Sequence, residues 1–256
     1  VLAFDFPEPV QFGQPNSKNA PFVVDVLKQG IKLVRSGRAA ALCTLPIHKQ
    51  ALQDGATFAY PGHTEFLAAY SGSKRPVMML AGPELKVVPA TIHIPLSDVP
   101  RALNKTDLEE VIVITHEGLK TYFQIPHPRI VVAGLNPHAG ENGKFGQEDI
   151  EIIQPVIQKL KQKGLAISGP HSADTLFHKA ARERYDAAVA MYHDQALIPI
   201  KTIDFDKGVN LTLGLPFIRT SPDHGTALDI AGQGKADPTS TIEAIKLAAR
   251  LGAAND

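Results

Sequence analysis

The sequence predicts an α/β chain with a largely parallel sheet, and two observations carry that reading. Strand-like runs alternate with helical patterns along most of the chain. Several strand candidates are short, continuous apolar runs of the kind buried on both faces of a sheet. The 256 residues, 44% apolar and 20% charged, have the composition of an ordinary globular chain. A chain of this length buries roughly 70 to 75% of its unfolded surface, so it holds a core without disulfides or a structural metal. One compact domain or two modest ones is the expected organisation.

The first helix begins at Asn19, which is placed to cap it. Pro21 falls in the first turn, Val23, Val26, Leu27, Ile31 and Val34 make one stripe, and Gly37 stops it. Strands are expected at 39–44, 76–80, 86–94, 129–133, 165–168 and 186–192. Thr106 with Glu109 reads as a capping box, followed by Leu108, Ile112, Thr115, Leu119, Tyr122 and Phe123 at helical spacing. The stretch 147–163 carries Ile150, Ile153, Ile157 and Leu160 on one side and ends at Gly164. A last helix spans 241–251 before Gly252. No internal repeat interrupts this order.

Charge excludes some functions. With 26 basic and 26 acidic side chains the net charge is zero, and no Lys/Arg run exceeds two. Nucleic-acid and membrane-surface binding, which need clustered cations, are therefore not expected. Cys43 is a lone cysteine, and no apolar run approaches the ~18 residues of a membrane span, so the expected setting is a reducing cytoplasm. The methionines are Met78, Met79 and Met191, and the opening segment lacks the features of a signal peptide. The expectation is that an N-terminal piece is missing.

Ligands of open α/β sheets collect beyond the carboxyl ends of strands. His93 lies near the end of the expected strand 86–94, His138 follows 129–133 in GLNPHAGENGKFG, and His193 follows 186–192 in YHDQ. Their spacing matches no local metal motif, so only the fold can bring them together. Position alone leaves a shared metal and ordinary core or surface roles equally open. In YPGHTEFLA, Gly62, His63 and Thr64 precede a helix, with Thr64 as its cap and free N–H groups facing an anion; a plain cap reads as well. Lys201, Asn210 and Arg219 punctuate otherwise apolar text, and a cation there must reach the surface or meet an anion. Gly140, Gly143 and Gly146 form GxxGxxG, which is neither the dinucleotide fingerprint nor a P-loop, and a mobile loop is the preferred reading. No GxSxG elbow is present.

The stretch HGTALDIAGQGKADP, 224–238, resembles the cofactor loop of the isocitrate and isopropylmalate dehydrogenase fold. That resemblance implies NAD rather than NADP, with Asp229 on the ribose hydroxyls and His224, Gly225 and Thr226 flanking the adenine. Asp237 stands where the isopropylmalate enzymes have Asn. The motifs CTLPIHK, PGHTEFLA, GLNPHAGENGKFG, SADTLF, YHDQALIPIK and GVNLTLGLPFIRTSPDHGTA resemble, in order, the 4-hydroxythreonine-4-phosphate dehydrogenase family of pyridoxal phosphate synthesis. Leu45 departs from the glycine of that family's TGP turn, and its glycine- and proline-rich opening segment has no counterpart here.

This resemblance implies a divalent ion (Zn, Co or Mg) on His93, His138 and His193. It places a phosphorylated substrate on His63, Thr64, Lys201, Asn210 and Arg219, in a homodimer with the active site at its interface. Two α/β subdomains around a cleft are implied, one of 1–60 and 208–256 on the cofactor side and one of 61–207 for metal and dimerisation. The reaction implied is NAD-dependent oxidation of 4-phosphooxy-L-threonine to 2-amino-3-oxo-4-phosphooxybutanoate, which loses CO₂ to give 3-amino-2-oxopropyl phosphate. Lys201 is the candidate proton acceptor, with Asp174 and Asp194 as further catalytic or histidine-orienting groups. The competing readings are a related dehydrogenase of threonate or erythronate phosphate or of a dihydrodiol carboxylate, a metal-dependent hydrolase or aldolase, and an inactive fragment.

Overall fold

The computed structural model describes residues 3–254. They divide into two compact units, one made of 3–76 with 214–254 and the other of 77–213. The first unit opens with α1 (Ala20–Arg35), β1 (Ala41–Cys43), α2 (Lys49–Ala56) and α3 (His63–Ser71). The second contains β2 (Val77–Ala81), β3 (Lys86–Pro89), α4 (Val99–Ala102), α5 (Lys105–Thr121), β4 (Arg129–Ala133), α6 (Gln154–Gln162), β5 (Ala166–His171), α7 (Lys179–Arg182), β6 (Ala187–Ala190), α8 (His193–Ile203) and β7 (Val209–Leu213). The chain returns to the first unit through β8 (Ile218–Pro222) and α9 (Thr239–Ala253).

In the second unit the strands run in the order β7-β2-β3-β6-β4-β5. The β3–β6, β6–β4 and β4–β5 pairs are parallel, whereas β2 pairs antiparallel with both β3 and β7. In the first unit β1 and β8 pair in parallel, Cys43 opposite Thr220. The α/β class and the largely parallel sheet therefore stand. Ala187–Ala190 of β6 is fully buried along its length, as its unbroken apolar text requires. Leu80, Val87, Ala188, Ala190, Ala196 and Ile200 pack into one core of this unit. Ile31, Leu52, Phe58, Phe66, Leu67 and Phe217 form the core of the other. Each fully buried Leu, Ile or Phe stabilises by roughly 1.5 to 3 kcal/mol through surface removed from water.

Four local expectations are corrected. Strand β3 ends at Pro89, so His93 lies beyond it in a turn with φ 53°. Asn19 holds the expected N-cap position of α1, but its side chain makes no capping hydrogen bond. Its amide is buried and bridges the Glu8 backbone, accepting from Glu8 N at 3.0 Å and donating to Glu8 O at 3.1 Å. The capping box at Thr106 and Glu109 does not form, because Asn104 caps α5 by accepting from Asp107 N at 2.9 Å. Glu109 instead receives Lys159 and Lys163 at 2.6 and 2.8 Å, and these two ammonium groups hold its carboxyl below the usual range. Thr64 sits inside the first turn of α3, whose N-cap is Gly62. Beyond these four, the text punctuated by Asn210 and Arg219 forms two strands, β7 and β8, that its apolar pattern does not announce.

Candidate functional site

Two groups of side chains, one in each unit, carry the chemistry. In the first unit Thr44 directly follows β1, its N–H donating to Thr220 O at 3.0 Å. That register sets its hydroxyl against Arg219 of β8, which donates from Nε at 3.1 Å and from Nη2 at 2.8 Å. Arg219 Nη1 also reaches Thr64 Oγ1 at 3.4 Å. Arg219 is only 4% exposed, and burial pushes its pKa down to about 10. His63 opens α3, and its buried Nε2 lacks a hydrogen-bond partner. Burial, reinforced by the Arg219 charge, lowers the His63 pKa to about 3, so the imidazole is neutral at physiological pH. A buried guanidinium, a hydroxyl, an unpartnered imidazole nitrogen and a helix N-terminus together suit an anion carrying several acceptor oxygens.

In the second unit the topology puts the three candidate histidines at one end of the sheet. His93 lies past β3, His193 follows β6 and His138 follows β4, and these three strands are neighbours running in parallel. The His93 and His193 rings are 5.7 Å apart, in a cavity of about 220 Å³ also lined by Tyr192 and Asp194. His193 Nδ1 lies 2.7 Å from Asp194 Oδ1, which orients the ring and leaves Nε2 for a ligand. His138 is exposed in a second cavity of about 310 Å³, with Asp174, Gln195 and again Tyr192 in its lining. Among the described residues no three His, Cys, Asp or Glu side chains lie close enough to hold a metal. The two imidazoles, one of them oriented by Asp194, are nitrogen donors of the kind a zinc or cobalt ion takes, and further donors would have to complete the set.

The loop carrying His138 is built tightly. His138, Ala139, Gly140, Glu141 and Asn142 all have positive φ, between 40° and 80°. Gly134 has no room for a Cβ, which would stand 2.7 Å from both Ala139 Cα and Asp149 Oδ1. Asp149, 1% exposed, starts a single turn of π-helix and accepts from Leu135 N at 2.9 Å, Asn136 N at 3.1 Å and Asn136 Nδ2 at 3.1 Å. Gln195 joins this loop to the His193 segment, accepting from Met191 N at 2.7 Å and donating to Gly134 O at 2.8 Å. Asp149→Ala removes the acceptor of the Leu135 and Asn136 N–H groups, while Asn136 Nδ2 keeps Glu148 Oε2 at 2.8 Å, and costs about 2 kcal/mol. Urea unfolding measures this, and a loss below about 0.5 kcal/mol contradicts the assignment.

Lys201 closes the last turn of α8, its Nζ 5.7 Å from the centre of the Phe205 ring. Asn210 lies in β7 opposite Leu80. The stretch 224–238 is largely exposed. His224 Nδ1 is 2.9 Å from Gly225 O, Ala227 has φ 46°, and Asp229 makes no ion pair or side-chain hydrogen bond among the described residues. That free carboxylate fits a diol such as a ribose. Asp237 anchors the start of α9, where it accepts from Thr239 N at 2.9 Å and Thr239 Oγ1 at 2.6 Å, and these bonds lower its pKa. Thr44, Asp149 and Gln195 join the site without standing out in the sequence, where only the position of Thr44 after a strand is a visible signal. Leu45, the departure from the family pattern, is exposed beside Thr44.

Comparison with known proteins gives this arrangement its setting. A curated 4-hydroxythreonine-4-phosphate dehydrogenase from Ruegeria sp. (strain TM1040) is 64% identical over 236 residues, 92% of this chain and 72% of that protein. The crystal structure of a 4-hydroxythreonine-4-phosphate dehydrogenase from Klebsiella pneumoniae superposes with a TM-score of 0.90 at 42% identity, covering 96% of this chain and 74% of that one. A terephthalate 1,2-cis-dihydrodiol dehydrogenase from Burkholderia xenovorans LB400 follows at TM-score 0.71 and 30% identity, covering 94% and 76%. Fold and site thus define an oxidoreductase of the α/β dehydrogenase class. The model of the pyridoxal phosphate biosynthetic protein PdxA matches residues 1–248, and the chain belongs to that family.

Proposed function

We propose that the protein oxidises 4-phosphooxy-L-threonine with NAD to 2-amino-3-oxo-4-phosphooxybutanoate, which then loses CO₂ to give 3-amino-2-oxopropyl phosphate. The observation that carries the reading is the buried Arg219 beside the unpartnered Nε2 of His63. An imidazole nitrogen buried without a partner is costly, and a phosphate monoester lying against the Arg219 guanidinium would meet it. Relatives named for this reaction support the same substrate.

In this reading His63, Thr64 and Arg219 grip the phosphate, aided by Lys201 and Asn210. His224, Gly225, Thr226 and Asp229 take the adenosine half of NAD. His93, His193 and His138 would hold the divalent ion, with Asp194 fixing the His193 ring. One chain lines separate cavities with the His93 and His193 pair and with His138, which supports completion of the set by a second copy in a homodimer. A divalent ion held there would supply a Lewis acid for the substrate hydroxyl and carboxylate, and NAD would supply the hydride acceptor. Lys201 takes the hydroxyl proton, and Asp174 lines the wall near His138. The setting is the cytoplasm, and no helix of the described residues is long and apolar enough to cross a membrane.

A substrate panel followed by NADH absorbance tests the assignment. Turnover is expected with 4-phosphooxy-L-threonine and to fall steeply with unphosphorylated 4-hydroxy-L-threonine. Turnover confined to a dihydrodiol carboxylate would transfer the chain to the activity named for its Burkholderia neighbour. Turnover without NAD would favour a hydrolase or aldolase.

A further inference from the structure

Strand β5 carries a second polar cavity that the dehydrogenase reading leaves unused. Its partner β4 pairs Val131 with Ser168 and then Ala133 with His171, so three steps on β5 oppose two on β4. Residues three apart on a regular strand point to opposite faces. The extra residue turns Ser168 and His171 to the same side, and Ser168 Oγ lies 2.8 Å from His171 Nε2. With Thr175 and Arg184 they rim a cavity of about 230 Å³ whose wall includes buried Leu176 and Tyr185. The Tyr185 hydroxyl is spent on Leu176 O at 3.0 Å.

No carboxylate lines this cavity. The Arg184 guanidinium uses only Nε, on Ala180 O at 3.3 Å. Among the described residues neither Arg184 nor Lys161 has an ion-pair partner. Burial, reinforced by both cations, holds the His171 imidazole below the usual histidine range. The Thr175 hydroxyl on the rim donates to Ser172 O at 3.2 Å, so the Ser168 hydroxyl, the imidazole and the guanidinium are the groups around this space that match the donor array phosphate oxygens require.

We propose that Ser168, His171 and Arg184 form a second anion site, separate from the His63 and Arg219 group, that binds a phosphate group. The inference does not depend on which alcohol the enzyme oxidises. The test follows the His171 Cε1 proton resonance of the full chain, assigned by its loss in His171→Gln, through pH titrations at constant ionic strength. Addition of ~10 mM inorganic phosphate is expected to raise the His171 midpoint by roughly half a pH unit or more, because an added dianion favours the imidazolium. Arg184→Gln is expected to abolish that rise, and Ser168→Ala to weaken it. Arg219→Met leaves it intact, which separates the two anion groups. Glycerol phosphate raising the midpoint at lower concentration than inorganic phosphate identifies a monoester as occupant, and equal potency identifies free phosphate. An unmoved midpoint, or a rise that survives Arg184→Gln, overturns the proposal.

Discussion

Arg219→Met is expected to lower kcat/KM for 4-phosphooxy-L-threonine by roughly 100- to 1000-fold, since removing a buried charged partner costs ~3 to 4 kcal/mol of binding. Activity on the unphosphorylated analogue should change by less than about threefold, because the lost interaction belongs to the phosphate. Methionine fills most of the volume of the arginine stem, and its burial in place of a desolvated guanidinium makes the fold no less stable. Thermal unfolding checks that point. Arg219→Lys keeps a charge but not the two-nitrogen grip on Thr44, so it should recover only part of the loss. An equal fall on both substrates would mean that Arg219 holds the fold and does not select the phosphate.

The second large effect is expected at His193. Removing an imidazole that binds the ion directly, by His193→Ala, should leave the dialysed protein with little bound zinc or cobalt and reduce NADH formation by at least ~1000-fold. Asp194→Asn keeps a hydrogen-bond partner for His193 Nδ1 but not its charge, and should weaken metal binding by about 10- to 100-fold. Metal content per chain, measured beside kcat, distinguishes this from a folding defect. Full metal retention by His193→Ala would remove that residue from the ligand set.

Much of this architecture is legible in the sequence itself. Alternating apolar runs and amphipathic stretches announce the α/β class, and the positions of His93, His138 and His193 after strands announce that all three lie at one end of the sheet. Arg219 is legible as an anomaly, a cation in apolar text, but the strand that carries it is not, because its polar residues make β8 read as a site. Its contact with Thr44 spans 175 positions and depends on the β1–β8 register, which no local pattern encodes. Asp149 and Gln195 look like ordinary surface residues. Their roles come from unpaired backbone groups in the loop after β4, a need created by backbone shape and not by neighbouring sequence. The expected cap at Thr106 gives way to Asn104 for a similar reason, since the residue at the actual first turn decides which side chain can reach the free N–H groups.

The account turns on imidazoles of two chains sharing one ion, and mixing two inactive proteins measures it directly. His93→Ala and His138→Ala are each unable to complete a site alone. If His93 and His193 come from one copy and His138 from the other, a mixed dimer regains one intact site of its two. Random exchange makes about half of the dimers mixed, so metal binding and NADH formation should return to roughly a quarter of the wild-type level. Mixtures that stay as inactive and metal-free as their components, under conditions where subunit exchange is verified, would contradict a shared site.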